Sequence, residues 1–272
     1  LVVETDPHLH PHRDHLGYER GARGETTVGC RLPRHRRTPG HRLRDDLRRR
    51  LDEVAEHESE LEGSGVAVQR ELRLLVLDGL GWEQLQERRH LAPTLAGMTG
   101  RAITTVAPST TATALTSIAT GLTPGEHGLV GYRIDMAGEG LNVLSWRTAS
   151  GDARRQVEPR RAQPFAPFLG DAVPVVSRAE LEGSAFTEAH LRGTRPRGWR
   201  ASSSLPVVVG ELLRAGERFV YAYYDGIDKI AHERGFGEFY DAELRAADRL
   251  VADLLDVVPA GAVLIVTADH GQ

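Results

Sequence analysis

Four apolar runs, each closed by polar groups, constrain this chain more than any other feature. They are LRLLVL before Asp78, RAITTVA before Pro108-Ser109-Thr110-Thr111, RFVYAYY before Asp225 and Asp228, and AVLIVTA before Asp269 and His270. Short runs of this kind, bounded by aspartate and glycine, read as buried parallel strands. Helix-like segments at 111–120, 206–215 and 238–257 lie between them. Alternating strands and helices imply an α/β fold with a mostly parallel central sheet. Ligands in such sheets sit beyond the carboxyl ends of the strands, so the polar residues that close each run are the candidates for function.

Composition narrows what those residues can do. A net charge of −4 argues against a chain that coats nucleic acid, because such binding rests on neutralising phosphates. No stretch approaches the roughly 20 apolar residues that span a bilayer, and the first residues lack the pattern of a secretory leader. A cytoplasmic protein acting on a small molecule, without membrane association, is the expectation. Cys30 is the only cysteine, which excludes an intrachain disulfide and a cysteine-based zinc cage. Any metal has to be held by histidines and carboxylates.

The chain divides unevenly. Residues 1–66 are rich in histidine and arginine, with little apolar periodicity, and read as a low-complexity, disordered arm. The catalytic domain is expected over 67–272. Within it, 135–204 is interrupted by proline, glycine and arginine and reads as a cap-like insertion over the site.

Each strand-end residue alone has an ordinary explanation. An aspartate after a strand is usually a turn former, and Thr110-Thr111 before a helix is usually a cap. Their convergence carries the argument, since separate strands of one sheet deliver all of them to the same edge. Asp228 and His232, four apart, share one face of a helical turn. Carboxylates with imidazoles are a ligand set for zinc or a similar divalent ion. Such an edge places hydroxyl nucleophiles beside metal ligands.

The ordered segments LVLDG, APSTTATALTSIATGLTPGEHGLVGY, DGIDKIAHERG and LIVTADHG resemble the alkaline phosphatase superfamily, and within it the type I phosphodiesterase and nucleotide pyrophosphatase branch. The resemblance implies a three-layer α/β sandwich with a mostly parallel central sheet and a cap insertion. It implies a metal-dependent phosphoester hydrolase with two divalent ions, zinc or alternatively manganese, and a small phosphoester substrate. Thr111 is the implied nucleophile, with Thr110 as its neighbouring alternative. Asp78, Asp269 and His270 with Thr111 are the implied ligands of one metal, and Asp228 and His232 of the other. A metal-activated threonine would attack phosphorus in line, giving a phosphothreonine that water then hydrolyses.

The family completes the second metal site with a histidine downstream of the DHG motif. The expectation is therefore a catalytic domain truncated at its carboxyl end, with the natural protein continuing past Gln272. The alternative is a catalytically impaired member that binds a phosphorylated ligand or partner. One position departs from the branch. Tyr132 stands where the pattern has a phosphoryl-binding asparagine, and Tyr132 or Asn142 is expected to substitute for it. A sulfatase is disfavoured, since Cys30 lies in CRLPR rather than in the C-x-P-x-R context those enzymes use.

Overall fold

A computed structural model describes residues 72–272 apart from Ala137, Ala260 and Gly261. The expected arm at 1–66, together with Cys30 and residues 67–71, lies outside the described residues. In chain order the first half runs β1 (Leu72–Leu77), α1 (Trp82–Glu87), α2 (Pro93–Gly97), α3 (Thr111–Thr120), α4 (Pro124–His127), β2 (Arg133–Met136), β3 (Glu139–Asn142), β4 (Arg147–Thr148), β5 (Gly151–Asp152) and α5 (Pro159–Ala162). The second half runs β6 (Pro174–Arg178), α6 (Ala185–Leu191), β7 (Arg195–Trp199), α7 (Leu205–Arg214), β8 (Phe219–Tyr224), α8 (Gly226–Arg234), α9 (Glu238–Val257) and β9 (Val263–Thr267).

Five strands form the central sheet in the order β7-β6-β8-β1-β9, and every pairing in it is parallel. Side chains alternate across it. Leu75 and Leu77 of β1 and Val220, Ala222 and Tyr224 of β8 face a core built with α7 and α9. Val76 of β1 and Tyr221 and Tyr223 of β8 face the opposite core, built with α3 and α6. Helix, sheet and helix therefore make three layers, as expected. Burial on both faces explains why these strands read as continuous apolar runs.

The long helix α9 shows how sequence spacing becomes packing. Tyr240, Leu244, Ala247, Val251 and Leu254 recur on one stripe and are buried against the sheet. Leu244→Ala is expected to cost about 2–5 kcal/mol, the usual range for emptying a close-packed leucine site, read as a lower urea midpoint. Asp248 lies on the same helix but is also buried, because its carboxylate accepts hydrogen bonds from the Thr94 and Leu95 amides at 3.2 and 2.8 Å and so caps α2.

Two expectations change. RAITTVA is not a strand, and its residues 102–105 are exposed, with the Thr105 hydroxyl donating to the Asp269 carbonyl. β-Branched residues favour an extended backbone, but a strand also needs an edge to pair with, and this segment has no place in the sheet. The expected insertion at 135–204 is divided between two structures. Its first part, with Arg133 and Ile134, builds a separate antiparallel sheet in the order β2-β3-β4-β5, whereas β6 and β7 belong to the central sheet. Proline and arginine in PVVSR and RPRGW hid two strands of the central sheet, the second at its edge and mostly exposed. The helices at 111–120 and 238–257 match their expected bounds, and the one expected at 206–215 is Leu205–Arg214.

Candidate active site

The strand order decides the site. β8, β1 and β9 are neighbours, so Asp78 after β1, Asp228 in the first turn of α8 after β8, and Asp269 and His270 after β9 arrive at one edge. Helix α3 brings Thr111 to the same place. Its Oγ1 lies 3.0 Å from His270 Nε2. That imidazole nitrogen is also 3.5 Å from Asp78 Oδ1, 3.5 Å from Asp269 Oδ2 and 4.0 Å from Asp228 Oδ1.

The two neighbouring threonines have different tasks. Thr110 is the N-cap of α3, and its hydroxyl turns back to the amide of Thr113 at 3.5 Å and the hydroxyl of Thr113 at 2.9 Å. Thr111 begins the helix, and its hydroxyl points to His270.

His270 is oriented by its own loop. Nδ1 donates to the Gly271 carbonyl at 3.0 Å, which in a neutral ring leaves the Nε2 lone pair directed into the cluster, where it accepts from the Thr111 hydroxyl. Asp269 is fixed in turn, because its Oδ1 accepts the amides of Gly79 at 3.1 Å and His270 at 2.9 Å. Gly79 has a φ of +71°, and a Cβ there would come within 2.8 Å of the Asp228 side chain. Gly79→Ala is thus expected to strain the turn and displace Asp228 together, lowering both melting temperature and metal uptake measured by calorimetry.

The charge balance of the cluster is unusual for a protein interior. Asp78 and Asp269 are buried, yet Asp78 Oδ1 and Asp269 Oδ2 have no hydrogen-bond partner. Burial, and then the charge of Asp269, pushes the Asp78 carboxyl well above the usual carboxylate range. Burial also raises that of Asp269. Two orphaned buried carboxylate oxygens beside an imidazole nitrogen suit a cation, which would satisfy both oxygens. Ligand atoms of Asp78, Asp228 and His270 all lie within 4.8 Å of one another.

His232 stands at the margin. Its Nε2 is 3.5 Å from Asp228 Oδ1, as the i, i+4 spacing implies, but the side chain is 70% exposed. The same Asp228 Oδ1 is thus near both His232 and His270. Asp225, also at the end of β8, is turned away to Arg178 in an ion pair of 2.7 Å. Tyr132 and Asn142 meet each other, the Asn142 amide donating to the Tyr132 hydroxyl at 2.6 Å. Among the described residues no hydrogen bond joins that pair to Thr111 or the carboxylates.

Three participants escaped sequence reading. The Tyr223 hydroxyl donates to Asp78 Oδ2, the Gln272 amide donates to Asp228 Oδ1, and the Gly79 amide anchors Asp269. A tyrosine inside an apolar strand gives no sign of such a role. Behind the site, His127 at the end of α4 is fully buried; its Nδ1 accepts the Leu129 amide at 3.2 Å, and its Nε2–H donates to Ser117 of α3 at 2.9 Å. This fastens the helix that carries Thr111.

Burial lowers the pKa of His127 and of His190 to about 4. A histidine held neutral in the fold contributes stability above its unfolded pKa, and that contribution is lost as pH falls from about 6.5 toward 4. The melting temperature is expected to drop through this window, and His190→Gln to make the drop shallower.

Comparison with known proteins agrees with this geometry. Residues 72–272 match the family model described as type I phosphodiesterase/nucleotide pyrophosphatase. Murine ectonucleotide pyrophosphatase/phosphodiesterase 5, an inactive threonine-to-alanine form in complex with AMP, superposes with a TM-score of 0.54 at 13% identity over 74% of this chain and 57% of that one. The human counterpart gives 0.54 at 14% identity, over 74% of this chain and 57% of that one. Phosphonoacetate hydrolase from Sinorhizobium meliloti 1021, in complex with phosphonoformate, gives 0.50 at 18% identity, over 75% and 56%. The chain thus spans a little over half the length of these structures. Comparison with curated proteins returns no match. The solved structures share the fold, and the match over residues 72–272 places the chain in the type I phosphodiesterase/nucleotide pyrophosphatase family, within the alkaline phosphatase superfamily.

Proposed function

We propose that the chain carries the active site of a metal-dependent phosphoester hydrolase in which Thr111 is the nucleophile. The observation that supports it most is the Thr111 hydroxyl, 3.0 Å from His270 Nε2 and beside two buried carboxylates with orphaned oxygens. A threonine in a purely structural role would be turned back as Thr110 is. The murine neighbour, inactive as a threonine-to-alanine form, is in keeping with a threonine at the centre of the chemistry.

Asp78, Asp269, His270 and Thr111 would hold one divalent ion, and Asp228 and His232 would contribute to a second. Bound divalent ions lower the pKa of a hydroxyl and offset the charge that develops on phosphoryl oxygens. The protein's own part is positional. Thr110 caps α3 and sets the rotation of its first turn, so the neighbouring hydroxyl faces the cluster. The first amides of α3, which have no acceptor within the helix, lie beside that hydroxyl and suit a phosphoryl oxygen. His270, its tautomer fixed by Gly271, accepts a hydrogen bond from the Thr111 hydroxyl through Nε2, which aims that hydroxyl at the cluster. Zinc is the reading for the metal, manganese its alternative. Small phosphodiesters or monoesters are the substrate class, and Tyr132 with Asn142 would contact the phosphoryl group or what it carries.

The test is hydrolysis of a chromogenic phosphodiester and monoester by the 272-residue chain with zinc or manganese added. Hydrolysis that disappears on chelation and returns with metal is expected. Hydrolysis indifferent to chelation contradicts the proposal.

A further inference from the structure

Asp78 is held at both ends of its carboxylate, and the two ends differ. Oδ2 accepts a hydrogen bond from the Tyr223 hydroxyl, while Oδ1 has no partner and lies 3.5 Å from His270 Nε2. Tyr223 belongs to β8, next to β1, and its Cα is in register with Val76, two residues before Asp78. The phenol therefore reaches along the sheet, under the strand end, to a carboxylate on the neighbouring strand. Both partners are buried, with Tyr223 8% and Asp78 3% exposed, so water does not compete for the bond.

We infer that Tyr223 is a positioning residue of the metal centre, restricting Asp78 to a single ligating oxygen and aiming that oxygen at the cluster. The inference rests on the metal-site reading above. A buried carboxylate with two free oxygens can rotate and chelate through both. One whose Oδ2 is engaged by a phenol presents Oδ1, the oxygen 3.5 Å from His270 Nε2. The same bond supplies a donor to a charge that burial and Asp269 otherwise disfavour. Outer partners of this kind, which orient a ligand without touching the ion, commonly account for 10- to 100-fold in metal affinity.

Tyr221 provides the internal control. It lies two residues earlier on the same strand, faces the same core and is as deeply buried, but its hydroxyl has no hydrogen-bond partner. Removing that hydroxyl changes the same strand and core without removing a hydrogen bond from Asp78.

The experiment compares wild type, Tyr223→Phe and Tyr221→Phe as full chains, with melting temperatures recorded free of metal. Manganese and zinc affinity are measured by titration calorimetry, and the visible spectrum is recorded with cobalt as probe. Tyr223→Phe is expected to bind metal about 10- to 100-fold more weakly. Its cobalt spectrum should also change in intensity, since release of Oδ2 permits a higher coordination number. Tyr221→Phe is expected to match wild type in both. Wild-type affinity and an unchanged cobalt spectrum in Tyr223→Phe overturn the inference and leave the metal site standing. Equal weakening in both variants also overturns it, by showing a general effect of β8 packing. A wild-type chain that takes up none of the three metals overturns the metal-site reading itself, and this inference with it.

Discussion

Thr111→Ala is expected to lower turnover on the order of 10⁴-fold or more, the scale on which removal of a covalent nucleophile acts in hydrolases. The fold should survive, because a small residue at the first position of α3 disturbs no capping bond; the cap belongs to Thr110. Thr110→Ala gives the complementary result. It removes a cap, which costs about 1 kcal/mol of stability, but it leaves the hydroxyl that faces His270 in place. Rate and melting temperature therefore move separately, the rate with Thr111 and the stability with Thr110. The two residues are adjacent, of one type, and indistinguishable by composition. Helix geometry alone separates them, since one is the last residue outside the helix and the other the first inside it. Equal rate losses in both variants would deny Thr111 its separate role.

The second large effect concerns Asp78. Asp78→Asn is expected to abolish metal-dependent hydrolysis, because an amide oxygen in place of a carboxylate weakens the charge that draws a cation. In metal-free protein the sign reverses. The Asp78 carboxyl is raised in the fold by burial and by Asp269, so it stabilises the fold least where it is ionised. A group raised in this way contributes fully below its unfolded pKa and loses that contribution as pH rises through the folded value. Metal-free Asp78→Asn should consequently melt several degrees above metal-free wild type near neutral pH, and the gap should close in acid as Asp78 takes up its proton. Metal should raise the melting temperature of wild type and not of the variant, since a ligand that binds only the folded form stabilises it. Melting curves at two pH values, with and without manganese, check all three statements. A variant less stable than wild type at every pH, without metal, contradicts the account of a site strained by its own charges.

What was legible in the sequence follows from the same physics. β1 and β8 were readable because a strand buried on both faces is largely apolar, and β9, at the end of the sheet order and only half-buried, because its run is rich in β-branched residues; in each a polar residue follows the end. α3 and α9 were readable to their bounds because a threonine cap with a following glycine at φ +68°, and a long amphipathic stripe, leave local signals. β6 and β7 were hidden because their place in the sheet depends on neighbours far away in sequence, and Pro174, Pro196 and Arg197 hide it locally. RAITTVA erred in the opposite direction, with strong local preference and no partner strand.

The site shows the same division. The candidate ligands Asp78, Asp228, Asp269 and His270 follow strand ends, and the sheet assembles them. Tyr223 sits inside a strand, and its function depends on which strand lies beside it. Register makes it a neighbour of Asp78, and no spacing along the chain expresses that.

The central claim is that the Thr111 hydroxyl performs the chemistry at this carboxylate edge. Its most direct test is to stop the reaction with acid during turnover of a phosphoester in the presence of manganese, digest the chain, and locate enzyme-bound phosphate by mass spectrometry. The account expects one phosphoryl group, on Thr111, absent from Thr111→Ala. Phosphate bound covalently to any other residue would contradict it.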